Sequence, residues 1–318
     1  MPELSILIPT YSQLNSLRRA IQSLVDQSEV PEIVIVDNAS PSRIGDAIGH
    51  EFGSRVKVVR LDKNYFYCGA VNRGAAHCAG RYLGVLNDDA WVDRDWVGRT
   101  LETFRLDASI GSVATLVRAA ADTNLVDSAG DRLNICGHAS NIGWGTPVSE
   151  VANTSIEVFS AAGSCAVYRR DAYMLAGGFD DDFVAYLDDI DLGFRLQLLG
   201  FRCLFNPLCT AFHEGGATYK PRLKAQYLTE RNMYWNLVKN MPLSILRKHA
   251  SSIVGAQSRP APISGGSSIA AWSAGKAHAH IGLSKILRKR RRIQLERRVS
   301  DNYIEGILSS TSIGVCHL

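Results

Sequence analysis

Residues 81–93 read RYLGVLNDDAWVD. The apolar run through Leu86 has the length and composition of a buried β-strand. It ends in two adjacent acids, Asp88 and Asp89. Carboxylates are costly to bury without a partner. The pair is therefore either a polar turn or a site that holds something positive, such as a metal ion. The chain around it decides between the two.

Upstream, strand and helix signals alternate. LSILIP (4–9) reads as a strand closed by Pro9. QLNSLRRAIQSLVDQ (13–27) places Leu14, Leu17, Ile21, Leu24 and Val25 on one helical face. PEIVIVDNAS (31–40) and RVKVVRL (55–61) are further strands, CGAVNRGAAHCAG (68–80) suits a small-residue helix, and RYLGVLN is the fourth strand. Such alternation with short connections predicts an α/β fold, a Rossmann-like, mostly parallel sheet flanked by helices. Ligands of these sheets bind beyond the carboxyl ends of the strands. Thr10, Asp37, Asn38, Asn64, Asp88 and Asp89 fall at those ends, although polar strand ends are also ordinary turn chemistry.

Downstream, YLDDIDLGFRLQLLGFRCLFNP (186–207) predicts a helix ended by Gly200 and followed by a strand. Asp188 and Asp189 sit at the helix start, where the dipole favours anions. One acid satisfies a cap; three, with Asp191, exceed that need. GAQSRPAPISGGSSIAAWSAG (255–275) has the composition of a linker. The predicted organisation is a domain over 1–240 with halves of about 1–110 and 111–240. A helix plus linker follows over 241–284, then a basic tail over 285–318.

The 318 residues carry a net charge of +4, and the balance is uneven. Residues 285–298 hold eight Lys/Arg against Glu296, a local +7, which leaves about −3 on the rest. With no continuous basic face on the body, nucleic acid is not an expected partner. Leu283, Ile286, Leu287 and Ile293 fall on one side of a helix in the tail. The tail is then either a solvated charged end or an electrostatic anchor to anionic lipid. No apolar run reaches the length of a membrane span, the N-terminus lacks secretory-signal features, and the seven cysteines form no C-x-x-C pair. A reduced, cytoplasmic chain is expected, peripheral to the inner face of the membrane if the tail anchors it.

Dinucleotide, P-loop, nucleophile-elbow and H-E-x-x-H signatures are absent. What remains is one acid pair at a strand end, a second acid cluster at a helix start and His213 after a strand. Hard oxygen ligands suit Mg²⁺ or Mn²⁺ held jointly with substrate phosphates. A leaving diphosphate develops negative charge that such an ion stabilises, while a separate carboxylate can deprotonate a hydroxyl. A nucleotidyltransferase would use similar carboxylates, but PTYSQLNS (9–16) lacks the Gly-rich basic loop it needs. A non-catalytic peripheral scaffold is the other alternative.

In order, SILIPTYSQ, VIVDNAS, NYFYCGAVNRGA, VLNDDAWVD, GGFDDDFVAYLDDIDLGFRLQLLG, FHEGGAT and ERNMYW resemble family 2 glycosyltransferases of the GT-A fold. The branch most resembled is the rhamnosyltransferase-like enzymes of bacterial surface polysaccharides. The resemblance covers about residues 4–240. It implies a nucleotide-diphosphate sugar donor, dTDP-L-rhamnose first and a UDP-sugar second, a saccharide or lipid-linked acceptor, and inversion at the anomeric carbon. By position, Thr10, Tyr11, Asp37 and Asn38 would line the nucleotide pocket, with Asp37 toward the base. Asn64, Gly69 and Asn72 would lie near ribose and sugar. Asn87, Asp88 and Asp89 occupy the D-x-D position, with Asp89 and His213 toward the metal and Asp88 toward the substrate. Asn87 replaces the first acid of that motif. LDDID matches an E-D-x-D segment, with Asp188 beside the substrate, Asp189 as general base and Asp191 as supporting acid. Arg231 is either structural or diphosphate-facing.

Overall fold

A computed structural model describes residues 2–215, 222–261 and 268–308. Gly216 to Thr218 of the FHEGGAT motif, the centre of the expected linker and Cys316 lie outside the described residues.

The N-terminal half alternates as expected. It runs β1 (Leu4–Thr10), α1 (Leu14–Val25), β2 (Glu32–Asp37), α2 (Ile44–Phe52), β3 (Lys57–Arg60), α3 (Phe66–Ala75) and β4 (Tyr82–Leu86). Alternating side chains let each strand serve two cores. Leu4, Ile6 and Ile8 of β1 pack with Leu17, Ile21 and Leu24 of α1, whereas Leu7 packs with Val34, Val36 and Val71 on the opposite face. The strands β3-β2-β1-β4 are parallel.

The second half comprises β5 (Ala90–Val92), α4 (Trp96–Leu106), β6 (Ile110–Ala119), β7 (Val126–Ser128), β8 (Asp131–Leu133), β9 (Ala139–Asn141) and β10 (Ile156–Val158). It continues through β11 (Cys165–Arg169), α5 (Arg170–Leu175), α6 (Asp188–Leu198) and β12 (Arg202–His213). The main sheet is ordered β10-β12-β6-β11-β4-β1-β2-β3, with β5 on β12 and β7 on β6. The sheet is mixed rather than mostly parallel, because β11 inserts antiparallel between β4 and β6. Parallel pairing covers the first half and recurs between β6 and β12 in the second.

The C-terminal residues form α7 (Arg222–Asn240), α8 (Leu243–Lys248), α9 (Ala250–Gln257), α10 (Ile269–Ile281), α11 (Leu283–Glu296) and α12 (Asp301–Ile307). The linker expected over 255–275 is thus shorter, since α10 begins inside it. Its small residues permit close packing: a Cβ on Gly275 would meet the Tyr227 carbonyl oxygen at 2.7 Å and Glu230 Cβ at 2.9 Å on α7. The basic tail is a docked helix. Ile286 of α11 is fully buried in the core that contains Trp235 and Ala279. Lys285 pairs with Asp182, and Lys289 pairs with Asp180 and Asp182. Leu287, expected on the packed side, faces solvent at 47% exposure.

Candidate functional site

Strand register assembles the first cluster. Ala90 of β5 stands opposite His213 at the end of β12, and the Glu214 N–H donates to the Asp89 carbonyl. The Asp89 carboxylate therefore reaches the His213 ring, with Oδ1 and Nε2 3.2 Å apart. On the other side of the ring, Nδ1 lies 2.9 Å from Asp127 Oδ2. Asp127 is the extra residue where β7 shifts register against β6, and a bulge re-aims a side chain in this way. Burial pushes the imidazole pKa down, but the bonds to Asp127 and Asp89 outweigh it and hold it at about 10. Beside this cluster the Thr10 hydroxyl donates to Asp88 at 2.7 Å. Burial, opposed by that hydrogen bond, pushes Asp88 up to about 7.

A second cluster sits next to the first because Leu86 of β4 pairs with Cys165 of β11. One step beyond, the Asn87 N–H donates to the Ser164 carbonyl. The Gly163 N–H then donates to Asp189 Oδ2 at 2.9 Å, and the Ile190 N–H donates to Oδ1 at 2.8 Å. Burial raises the Asp189 pKa and these N–H groups restrain the rise. Asp188, buried at 5% exposure, is pushed up to about 8 by burial and by the charge of Asp189. Between the clusters lies Asp131. Its pKa is raised well above the usual range by burial and by the field of Asp189 and Asp127.

The segment that delivers Asp189 is strained. Val184, Tyr186 and Leu187 have φ of 68°, 68° and 56°, the region that favours glycine. Amides and a guanidinium on α7 hold it in place. Asn232 Nδ2 donates to the carbonyls of Phe183, Ala185 and Tyr186, and Asn236 Nδ2 donates to that of Leu187. Arg231 Nη2 donates to the carbonyls of Asp182 and Phe183.

Several expected site residues turn inward instead. Arg231 is a buried brace and not diphosphate-facing: its Nε also donates to Asn232 Oδ1. Asp191 is fully buried and bonded to Arg195, Lys239 and Asn240, so it anchors α6 to α7 and presents no oxygen to a substrate. Asn72 uses both ends of its amide, donating to the Phe179 carbonyl and Asp181 and accepting from the Tyr173 hydroxyl and the Phe179 N–H. It holds the loop before α6 rather than a sugar. Asp37 is fully buried and accepts from the Ser40 and Gly45 N–H groups and from Arg60. It fixes the turn after β2. Asn38 donates to Asn64 Oδ1 and to the Phe66 carbonyl, tying the ends of β2 and β3 together. Gly69 lies under Arg73, whose Nη1 donates to its carbonyl. Tyr11 is 42% exposed on the rim. Asp127, Asp131 and Gly163 belong to the site without any motif to mark them.

The donor set suits a divalent cation. Asp89 Oδ1 and His213 Nε2 lie 3.2 Å apart, where a bound cation would replace the ring proton between them, and Asp127 fixes the other ring nitrogen in the carboxylate–histidine pattern common around metals. Among the described residues, no group of three or more His, Cys, Asp or Glu side chains is arranged to hold a metal by itself. Two protein ligands completed by substrate phosphates is the arrangement this geometry allows. Among the described residues, no helix is long and apolar enough to cross a membrane.

The chain is similar to several known proteins. Over 239 residues the chain is 28% identical to the N-acetylglucosaminyl-diphospho-decaprenol L-rhamnosyltransferase of Mycobacterium tuberculosis, covering 66% of this chain and 75% of that protein. It is 26% identical over 220 residues to the O-antigen biosynthesis protein RfbC of Myxococcus xanthus, covering 66% of this chain and 17% of the relative. The chain thus spans about a sixth of that longer protein. Two solved structures share the GT-A architecture. The mannosyltransferase PcManGT from Pyrobaculum calidifontis, in complex with GDP-Man and Mn²⁺, superimposes with a TM-score of 0.55 at 16% identity, over 93% of this chain and 84% of that one. GalNAc-T7 with UDP, GalNAc and Mn²⁺ gives 0.63 at 15% identity, over 91% and 56%. A model described as glycosyl transferase family group 2 matches residues 125–274. The model of glycosyl transferase family 2 matches residues 5–175, more than half of the 318, and the chain belongs to that family.

Proposed function

We propose that this chain is an inverting, metal-dependent glycosyltransferase. It moves a sugar from a nucleotide-diphosphate donor to a hydroxyl of a saccharide or lipid-linked acceptor in surface-polysaccharide synthesis. The observation that carries this reading is the pair of clusters on one sheet edge, a cation cradle at Asp89 and His213 beside a carboxylate, Asp189, held by the Gly163 N–H.

The chemistry divides between them. Asp189 takes the proton of the acceptor hydroxyl as its oxygen attacks the anomeric carbon. The bond from that carbon to the diphosphate oxygen breaks, and the diphosphate leaves with the electron pair. A single displacement inverts the configuration; retention by double displacement would need a second carboxylate as nucleophile. A divalent cation, when bound, neutralises charge on the leaving diphosphate. Asp89 and His213 would hold it, and Asp127 keeps the ring turned toward it. The raised pKa of Asp189 makes it a stronger base than an exposed carboxylate. Thr10, bonded to Asp88, and the exposed Tyr11 lie on the nucleotide side.

L-rhamnose from dTDP-L-rhamnose is the proposed donor, on the name of the mycobacterial relative. A thermal-shift and hydrolysis screen with dTDP-, UDP- and GDP-sugars and Mg²⁺ or Mn²⁺ tests it, since a ligand raises Tm in proportion to its binding. dTDP-L-rhamnose with the cation should give the largest shift. A larger shift with a UDP-sugar removes rhamnose and keeps the transferase. No shift with any nucleotide sugar removes the transferase.

A further inference from the structure

The two faces of α11 have different partners. Inward, Ile286 is buried, Lys285 and Lys289 pair with the acids at 180 and 182, Arg290 donates to the Val238 and Met241 carbonyls, and Gln294 donates to that of Asn240. Outward, Arg288, Arg291 and Arg292 are exposed. Of these, only Arg292 has an ion pair among the described residues, with Glu296 of the same helix. Large apolar side chains stand among the arginines, with Leu287 at 47% exposure and Leu295 at 79%.

At 100° per residue, Leu287, Arg288, Arg291 and Leu295 of α11 fall within about 100° of arc. Apolar side chains so exposed, interleaved with cations on one stripe, gain nothing from water. We propose that this outward face of α11 docks on an anionic lipid bilayer, with Leu287 and Leu295 entering the acyl boundary and the arginines meeting lipid phosphates. Charge complementarity selects the occupant. A stripe of arginines excludes a second copy of itself, and the helix lies along the surface, the pose of interfacial basic helices. The face is available because packing and the lysine pairs commit the other side to the protein. The inference does not depend on the proposed transferase activity, although a lipid-linked acceptor would then be within reach of the site.

The test is sedimentation of the full chain with vesicles of phosphatidylcholine alone and of phosphatidylcholine with equimolar phosphatidylglycerol. The chain should pellet with the anionic vesicles and be released by salt. An arginine near such a surface is worth about fivefold in partitioning. The Arg288→Gln/Arg291→Gln variant should therefore bind roughly 25-fold more weakly, with Tm unchanged. Leu287→Ser/Leu295→Ser should weaken binding at high salt as well. The proposal is overturned if the wild-type chain stays in the supernatant with anionic vesicles. It is also overturned if it binds neutral vesicles equally well, or if the folded double-arginine variant binds like wild type. Capture of an acidic protein with no vesicle binding would assign the face to that partner and overturn the bilayer.

Discussion

Asn232→Leu isolates how the strained segment before α6 is held. Asn232 is fully buried, and its amide nitrogen faces three carbonyls at 3.1, 2.9 and 2.7 Å. The Phe183 carbonyl keeps its bond from Arg231 Nη2, so two carbonyls are bared, and Arg231 Nε loses the Asn232 Oδ1 acceptor as well. Leucine keeps the volume and supplies no donor. Carbonyls left bare in the interior cost about 1–3 kcal/mol each; two of them, eased by relaxation, give about 3 kcal/mol. With an unfolding entropy of about 2.1 cal/mol/K per residue, a chain of this length should lose about 4–5 °C of Tm. The effect should reach the site. Three non-glycine residues with positive φ have no local reason to stay there, so without the amide the segment relaxes and Asp189 moves. Scanning calorimetry reads the first effect. Transfer kinetics read the second, as a fall in kcat larger than any rise in donor KM. A variant that melts and turns over like wild type would refute the idea that Asn232 holds the segment.

Other perturbations separate the remaining parts. Asp188 has a folded pKa of about 8 against an ordinary 3.8. Its contribution to stability is complete below the lower value and is lost as pH rises through the higher one. Asp188→Asn cannot ionise, so its Tm should gain on wild type steadily across that window; a constant difference would contradict the shift. Asp127→Asn should raise the Mn²⁺ concentration for half-maximal thermal shift by about 10–100-fold. An unchanged titration would remove Asp127 from the cation site.

The residues of RYLGVLNDDAWVD show what a sequence can reveal. The strand ending at Leu86 and the acids beyond it follow from composition. So does the helix beginning at Asp188, and all of them land on one edge of the sheet. Asp89 and His213 are far apart in sequence and meet because Ala90 pairs with His213, a register no local pattern encodes. Asp127 was invisible because it is an isolated acid on the three-residue strand β7. The inward turn of Asp37, Asn72, Asp191 and Arg231 was hidden for a different reason. A motif records that a residue type is needed at a position, and a buried brace satisfies that as well as a ligand does. The linker composition misled over α10 because glycine and alanine serve tight helix packing as readily as flexibility. The docking of the tail was hidden because the acids opposite Lys285 and Lys289 lie a hundred residues earlier.

The most direct measurement is the transfer rate of Asp189→Asn protein with its best nucleotide-sugar donor, beside the donor-induced shift in Tm. Asparagine keeps the shape and an oxygen for the Gly163 N–H but cannot accept the proton. Transfer should fall by about 10²–10⁴-fold, the contribution of a general base, while the donor still raises Tm as it does in wild type. Undiminished transfer by this variant would contradict the assignment of the base and the two-cluster account built on it.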